Sequence, residues 1–585
     1  MLLLLVMSNI LIFSFYPQII RSEIQGGYNR STSFGLFGKF LPEETREPSI
    51  FFVSPSGSDT NPGTLLLPWK TIGKASIMVI PGDTIIIRGG IYNEEVSFQT
   101  SGTESNPISI MAYLGENPII DGNLIIPGTG GSLLSIIGNN IHVYGIEVRN
   151  SAYMGIFISG NFDVINNVYV HHCKYNGIFI FQGHNSMVEN SRIWRTSLSN
   201  EYGQGNGWSS ALSAARQGVS NVTIRNNVVW ENWGEGISSY EADHINIEDN
   251  IAHDNYSANI YISDSTNVLI QRNFVYMDPD SYLYGYGANV GIMMGDEKYT
   301  PPSANIQVIN NLAYGNHGNF YWWQGTQGGG MNNVLIANNT FVNATGDQHK
   351  DQANVKIGFG DHINVHFENN LVNQDGSLPE IATLDQSGIY YSNNLWSKAP
   401  ISAASGSGDV IGDPKLVQVG SYYLADWFRL TEGSPAINQA QLLQNVSVDY
   451  LGNGRGNLPD IGAVEFTNVP LEPVTLTISQ TGTGTGMVTS SPSGISCGST
   501  CSYVFDYNTA VTLTAAASNG SIFSGWSGGG CSGIGDCTVT MSSAQSVSAC
   551  FHFDFRAIVI LVFGLIAVLL VIISAKFTKR NDDTI

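Results

Sequence analysis

Positive charge is what this chain has least of: 25 lysines and arginines stand against 47 aspartates and glutamates in 585 residues, a formal net charge of −22. Such a surface argues against nucleic acid as a partner. Cysteine is also scarce, and five of the six fall between Cys497 and Cys550. No histidine interleaves with them, which disfavours a zinc site. The spacing reads instead as the disulfides Cys497–Cys501 and Cys531–Cys537, with Cys550 left over and Cys173 a small buried hydrophobe. The "GTGTG" run lacks the Lys-Ser/Thr that would close a phosphate cradle, so it is no nucleotide loop.

Apolar runs of membrane-directed length stand at the two ends. Residues 1–22 contain the stretch Leu2 to Phe15 and are expected to be a signal peptide or N-terminal anchor. Residues 556–575 are expected to form a transmembrane helix, and Lys576, Lys579 and Arg580 place the basic tail 576–585 in the cytoplasm. The remainder is then expected at the cell surface, which suits disulfides.

What is abundant is glycine (65 residues) and, in the middle of the chain, asparagine between short isoleucine and valine runs. The pattern aliphatic-x-aliphatic-x-polar-Asn-aliphatic recurs in "VINNV", "TIRNNV", "NIEDNI", "LIQRNF", "LIANNT" and "HFENNL". Its asparagine falls at Asn167, Asn190, Asn227, Asn250, Asn273, Asn311, Asn339, Asn370 and Asn394, in steps of 23, 37, 23, 23, 38, 28, 31 and 24. A unit of 23 residues lengthened by insertions is a solenoid period, with three short strands per coil. Stacked asparagines can bond amide to amide along the axis, so this position is read as scaffold.

Residues 49–466 resemble the right-handed parallel β-helix superfamily that contains the pectate lyases. The likeness rests on "FFVSPSGSDTNPGTLLLPWKTIGKA", "IPGDTIIIRGGIYNEEV" and the closing "VDYLGNGRGNLPDIGAVEF". Residues 470–552, with "GTGMVTSSPSGISCGSTCSYVFDYNTAVTLTAAASNGSIFSGWSGGGC", resemble a small β repeat of bacterial surface proteins related to the internalin B-repeat. Residues 23–48 are a loose lead-in. The expected fold is all-β: a parallel β-helix, a small disulfide-containing β domain and a C-terminal transmembrane helix, in a monomer.

In solenoids, chemistry sits on loops inserted at one face. The largest insertions lie between Asn190 and Asn227 and between Asn273 and Asn311, flanking the acidic stretch "WENWGEGISSYEADHINIEDN". Alternation along the strands predicts an outward column Phe157, Phe179, Ser238, Tyr261, Met293, Tyr321 and Lys356, and a second with Ser159, Phe181, Tyr240, Ser263 and Trp323. Tyr240, Tyr261, Tyr321 and Trp323 offer flat faces to sugar rings, with Arg216 and Lys298 for their carboxylates. Glu231 with Asp254, and Glu241 with Asp264, are each 23 residues apart and should stack on neighbouring coils as calcium ligands or a hydrolytic pair.

The resemblance implies a lyase acting on an extracellular acidic polysaccharide, with a basic residue taking the proton and calcium holding the substrate carboxylate. On it Lys356 is the base candidate, with Glu235, Glu241 and Asp264 around a cation. The calcium-binding lyases typically carry an Asp-Asp-Gly turn where this chain has Gly234-Glu235-Gly236. The alternatives are a non-catalytic adhesin or envelope scaffold, and a glycoside hydrolase using a carboxylate pair.

Overall fold

The structure, a computed structural model, describes residues 46–553 apart from 129, 206–207, 299–301, 326–328, 347–352, 384–386, 419–420, 468–472, 499–500, 508 and 542–543. Isoleucine and valine at alternate positions give each coil three short strands whose inward side chains meet on the axis. Parallel pairing carries the chain through sheets of thirteen, eleven and thirteen strands. Apolar residues from Val53 to Ala404, mostly aliphatic, form one continuous core along this stack.

Sharp corners join the sheets, and many hold one residue at positive φ, such as Asn226 (54°), Asp249 (58°), Arg272 (51°) and Asn310 (54°). Asparagine and aspartate tolerate that left-handed region best among non-glycine residues, which accounts for much of their abundance here. The next residue turns inward and is buried. Asn227, Asn250, Asn273, Asn311, Asn339, Asn370 and Asn394 each pass an amide bond to the next coil, from 2.9 to 3.4 Å, and Asp409 ends the row. The expected ladder is present, but not from its first two members. Asn167 and Asn190 occupy the left-handed corner instead, and Ser191 takes the inward place, donating its N–H to Asn227 Oδ1.

A second ladder, which the repeat pattern did not reveal, runs through another corner. Asn232, Asn255, Asn259, Asn316, Asn319 and Asn354 bond in series at 2.8–2.9 Å, all buried.

At the N-terminal end the helix Ile72–Met78 packs onto the core, its first turn held by the Thr71 side chain and by Glu94 accepting from the N–H groups of Ile72 and Gly73. At the other end, residues 413–466 return along the outer face of the third sheet. There Leu416, Trp427, Phe428 and Ile461 cover Phe274, Leu312, Leu371 and Leu395. The "GRG" arginine locks this return: Arg455 is buried, paired with Glu465, and donates to Asn310 Oδ1 at 2.7 Å and Gly462 O at 2.8 Å.

Residues 474–553 form two four-stranded sheets around Leu476, Val488, Val511, Trp526 and Phe551. Cys497–Cys501 and Cys531–Cys537 are disulfides, while Cys173 and Cys550 are free. One feature of the expected fold is corrected: no helix among the described residues is long and apolar enough to cross a membrane. The stretch 556–575 assigned to such a helix lies outside the described residues, as do residues 1–22 and most of the lead-in. The fold class is therefore a parallel β-helix with a small disulfide-containing β domain.

Candidate active-site groove

The register of the eleven-stranded sheet reproduces the expected columns except for Ser159, which lies beyond its strand, and Ser238, Tyr261 and Ser263 within them are buried. Phe157, Phe179, Ser213, Ser238, Tyr261, Met293, Tyr321 and Lys356 are successive register partners. Phe181, Ala215, Tyr240, Ser263, Gly295 and Trp323 form the second column. The insertions rise along the edge where strands enter this sheet. Leu198 from the first packs with Met277 and Leu283 from the second around buried Trp233, so the two walls brace one another. Trp208, half exposed, stands on the same edge.

On the exit edge, Glu241 occupies a left-handed corner (φ 53°) with its carboxylate facing two cations. Lys298 Nζ lies 2.8 Å from Oε1 and Arg216 3.7 Å from Oε2. Both cations sit over the Tyr240 ring, at 5.3 and 5.5 Å from its centre. The bond to Glu241 raises the Lys298 pKa, so this lysine stays charged. Each cation is about half exposed, with side chains at 48% and 51%. Half in water, both cations are open to an incoming anion, although Glu241 itself is buried.

Lys298 and its neighbour Glu297 are delivered by two buried aspartates. Asp264 accepts from the N–H groups of Glu297 and Lys298 at 3.0 and 2.9 Å and from Ser263 Oγ at 2.7 Å. Asp296 accepts from the N–H groups of Ser303 and Gly330. Glu297 in turn accepts the Tyr261 hydroxyl at 2.8 Å. Tyr261 lies flat beside Gly295, where an added Cβ would come within 2.8 Å of Trp323 O and 3.4 Å of the phenol oxygen.

Across the floor, Glu235 is buried between Gly234 and Gly236. A Cβ on Gly234 would strike Ser209 O at 1.8 Å and one on Gly236 would strike Asn259 O at 2.5 Å, so both flanks must be glycine. The Glu235 carboxyl accepts Trp208 Nε1 at 2.5 Å and Ser210 Oγ at 3.1 Å. Burial pushes its pKa up despite these bonds, and the Glu297 charge adds to the rise.

Several expectations about individual residues change. Lys356 is four rungs from Ser238 along the first column, about 19 Å at the usual strand spacing, so it cannot share a sugar ring with Glu241. It sits over Tyr321 at 5.2 Å instead. Tyr261 is only 5% exposed and offers its hydroxyl, not its face; Trp323 at 36% is the open ring. Asp264 is fully buried with its oxygens engaged by its own loop, which removes it as a nucleophile or proton donor.

The expected metal pairs do stack on neighbouring coils, yet each carboxylate is already served. Glu231 takes Arg195 at 3.1 Å, and Asp254 takes His253 at 2.6 Å and the Asp278 N–H at 2.7 Å. No group of three or more His, Cys, Asp or Glu among the described residues could hold a metal ion. Calcium does not fit these residues, because its ligands would first have to give up internal cations and N–H donors. Three of the six acids in the stretch from Trp230 to Asn250, Glu231, Glu241 and Asp249, sit at left-handed corners (φ 53–58°), as do Asp254 and Asp264 one coil on.

Comparison with known proteins adds to this geometry. A family model described as the Pel9A-like right-handed β-helix region matches residues 51–354. Pectate lyase L of Dickeya chrysanthemi is 24% identical over 449 residues, covering 71% of this chain and 90% of that protein. Pectate lyase L of Paenibacillus polymyxa is 25% identical over 409 residues, covering 68% and 84%. Pectate lyase PEL9 of Emericella nidulans is 32% identical over 209 residues, a third of this chain and 49% of that one. Among solved structures, pectate lyase Pel9A aligns with a TM-score of 0.46 at 20% identity, covering 72% of this chain and 96% of that one.

Proposed function

This chain belongs to the Pel9A-like right-handed β-helix family, and on that premise we propose that it binds and cleaves an acidic polysaccharide by β-elimination outside the cytoplasm. The observation that carries the reading is the pair Arg216 and Lys298, half exposed over the Tyr240 ring in a chain of net charge −22. Positive charge is placed where a uronate would need it. Elimination requires the sugar carboxylate to be neutralised, so that charge developing on the adjacent carbon is stabilised. Arg216 can take that carboxylate through two N–H groups while Lys298 supplies a point charge. Tyr240 offers the sugar its ring beneath them.

Trp323 and Lys356, further along the sheet, extend the binding surface to neighbouring units of the polymer. The pectate lyase relatives support a galacturonate-containing substrate. The two disulfides favour an oxidising compartment. No step is routed through calcium, since the carboxylates on this floor hold protein partners.

Incubation of the full chain with polygalacturonate, pectin and alginate tests the reading through the ultraviolet absorbance of newly formed unsaturated uronates. A rise supports elimination. New reducing ends without that chromophore mean hydrolysis, and binding without either product means an adhesin; both overturn it.

A further inference from the structure

The lysine expected as base lies too far along the groove, which leaves proton transfer to other groups on the same floor. Two carboxyls stand on opposite edges of the strands that carry Ser238 and Tyr261. Glu297, exposed, sits beside the carboxylate-binding Lys298 and is fixed by the Tyr261 hydroxyl at 2.8 Å. Glu235 is buried, and its carboxyl accepts the hydroxyl of half-buried Ser210 at 3.1 Å, beside exposed Trp208. The backbone spends several features to hold this arrangement: glycines on both sides of Glu235, Gly295 beneath Tyr261, and Asp264 clamping the N–H groups of Glu297 and Lys298.

We propose that Glu297 is the base and Glu235 the acid of the cleavage step, with Tyr261 a positioning residue for Glu297. This rests on the elimination reading above. Glu297 takes the proton from the carbon that bears the uronate carboxylate. The electron pair of that C–H bond forms the new carbon–carbon double bond, and the adjacent bond to the glycosidic oxygen breaks. The leaving oxygen receives a proton from the Ser210 hydroxyl, which is refilled by Glu235. Glu297 ends protonated and Glu235 ionised, and exchange with water restores both. Proximity is the chemical argument: the carbon losing the proton also carries the carboxylate, and Glu297 and Lys298 are consecutive residues. Burial, together with the Glu297 charge, holds the Glu235 proton in place, as an acid requires, while Trp208, Ser210 and Tyr261 are its other facing groups.

The test compares Glu297→Gln, Glu235→Gln and Tyr261→Phe with the unaltered chain, following unsaturated product and the affinity for a saturated oligouronate. Removing a general base typically costs about 100-fold or more in kcat. Glu297→Gln should reach that loss with oligouronate affinity within about threefold, since the amide keeps the acceptor for Tyr261. Glu235→Gln should cost kcat at least about tenfold and remove the alkaline limb of its pH profile. Tyr261→Phe should fall between unaltered enzyme and Glu297→Gln with KM unchanged. An unaltered chain that forms product while Glu297→Gln keeps more than about a tenth of the rate overturns the inference alone. An unaltered chain that forms no unsaturated product overturns the elimination reading and the inference with it.

Discussion

Replacing Asn273 with alanine interrupts the buried amide ladder at its middle, and the cost can be worked from its bonds. Asn273 Nδ2 donates to Ile247 O at 2.8 Å and to Asn311 Oδ1 at 3.1 Å. Its Oδ1 accepts from the Asn250 N–H and from Asn250 Nδ2, both at 3.0 Å. Two of these neighbours keep something. Asn311 Oδ1 still accepts the residue 273 N–H, and Asn250 Nδ2 still donates to Ile224 O. The Asn250 N–H, wholly buried, loses its partner, which costs about 1–3 kcal/mol; the other broken bonds add about 0.5–1.5 kcal/mol each. Together these run from about 2.5 to 7.5 kcal/mol, and partial relaxation moves the loss toward the lower half of that range. The comparison variant is Asn190→Gly, at an exposed left-handed corner where the side chain makes a single 3.4 Å bond to Asn166, and it should cost under about 1 kcal/mol. Denaturant midpoints with matched m-values measure both, and hydrogen exchange should show lost protection centred on Asn250. Equal losses for the two variants would refute the claim that the inward asparagine carries the stack.

Glu380 is buried, one of its oxygens lacks a hydrogen-bond partner among the described residues, and burial pushes its pKa to about 7. A folded value raised above the ordinary one favours the neutral form, so its contribution is full below pH of about 4.5 and lost as pH rises through about 7. Between those limits Glu380→Gln should gain roughly 3 kcal/mol relative to the unaltered chain, read from unfolding curves at each pH; parallel curves would refute it. Reduction opens disulfide loops of four- and six-residue separation, each worth roughly 2 kcal/mol, and should loosen residues 474–553 while exchange protection along the asparagine ladder stays unchanged. Arg216→Ala should lower kcat roughly 100-fold, because the developing charge loses its partner, and should also raise KM and weaken the salt dependence; an unchanged kcat/KM would exclude Arg216 from the site. A calcium chelator should leave the rate on soluble oligouronates within about twofold, and abolition would show that a metal completes the floor.

The strand order and both outward columns were legible because inward aliphatics alternate at a fixed period, so counting from Ile156 or Ile237 places Phe157 and Ser238 without any tertiary information. The ladder was legible from Asn227 onward. It was misread by one position at Asn167 and Asn190, because a corner asparagine and an inward asparagine are the same letter and only φ separates them. The second ladder has no regular spacing: Asn255 and Asn259 are neighbours in it four residues apart, while Asn259 and Asn316 are 57 apart. Arg216, Glu241 and Lys298, which the structure brings together on one edge, were named as candidates from charge and insertion position. Glu297 was passed over inside "GDEKY" because its meaning depends on a loop folding back over two coils. Lys356 looked right by column but wrong by distance, since a repeat period gives direction along the axis more readily than separation. The carboxylate stacks at Glu231 and Asp264 were placed correctly in register, yet spacing cannot show that Arg195 or a backbone N–H has already claimed them.

The asparagine bond from Asn273 to Asn311 spans 38 residues and the one from Asn250 to Asn273 spans 23, yet both close at about the same length, 3.1 and 3.0 Å. Registration between coils is thus indifferent to how much chain lies between them. The floor behaves like a loom on which loops of any length can be hung from the corners without moving the warp. A grafted loop at 195–211 or 277–289 would therefore change which polymer the groove accepts while leaving the foundation beneath it in place, a freedom that proteins with interdependent cores do not have.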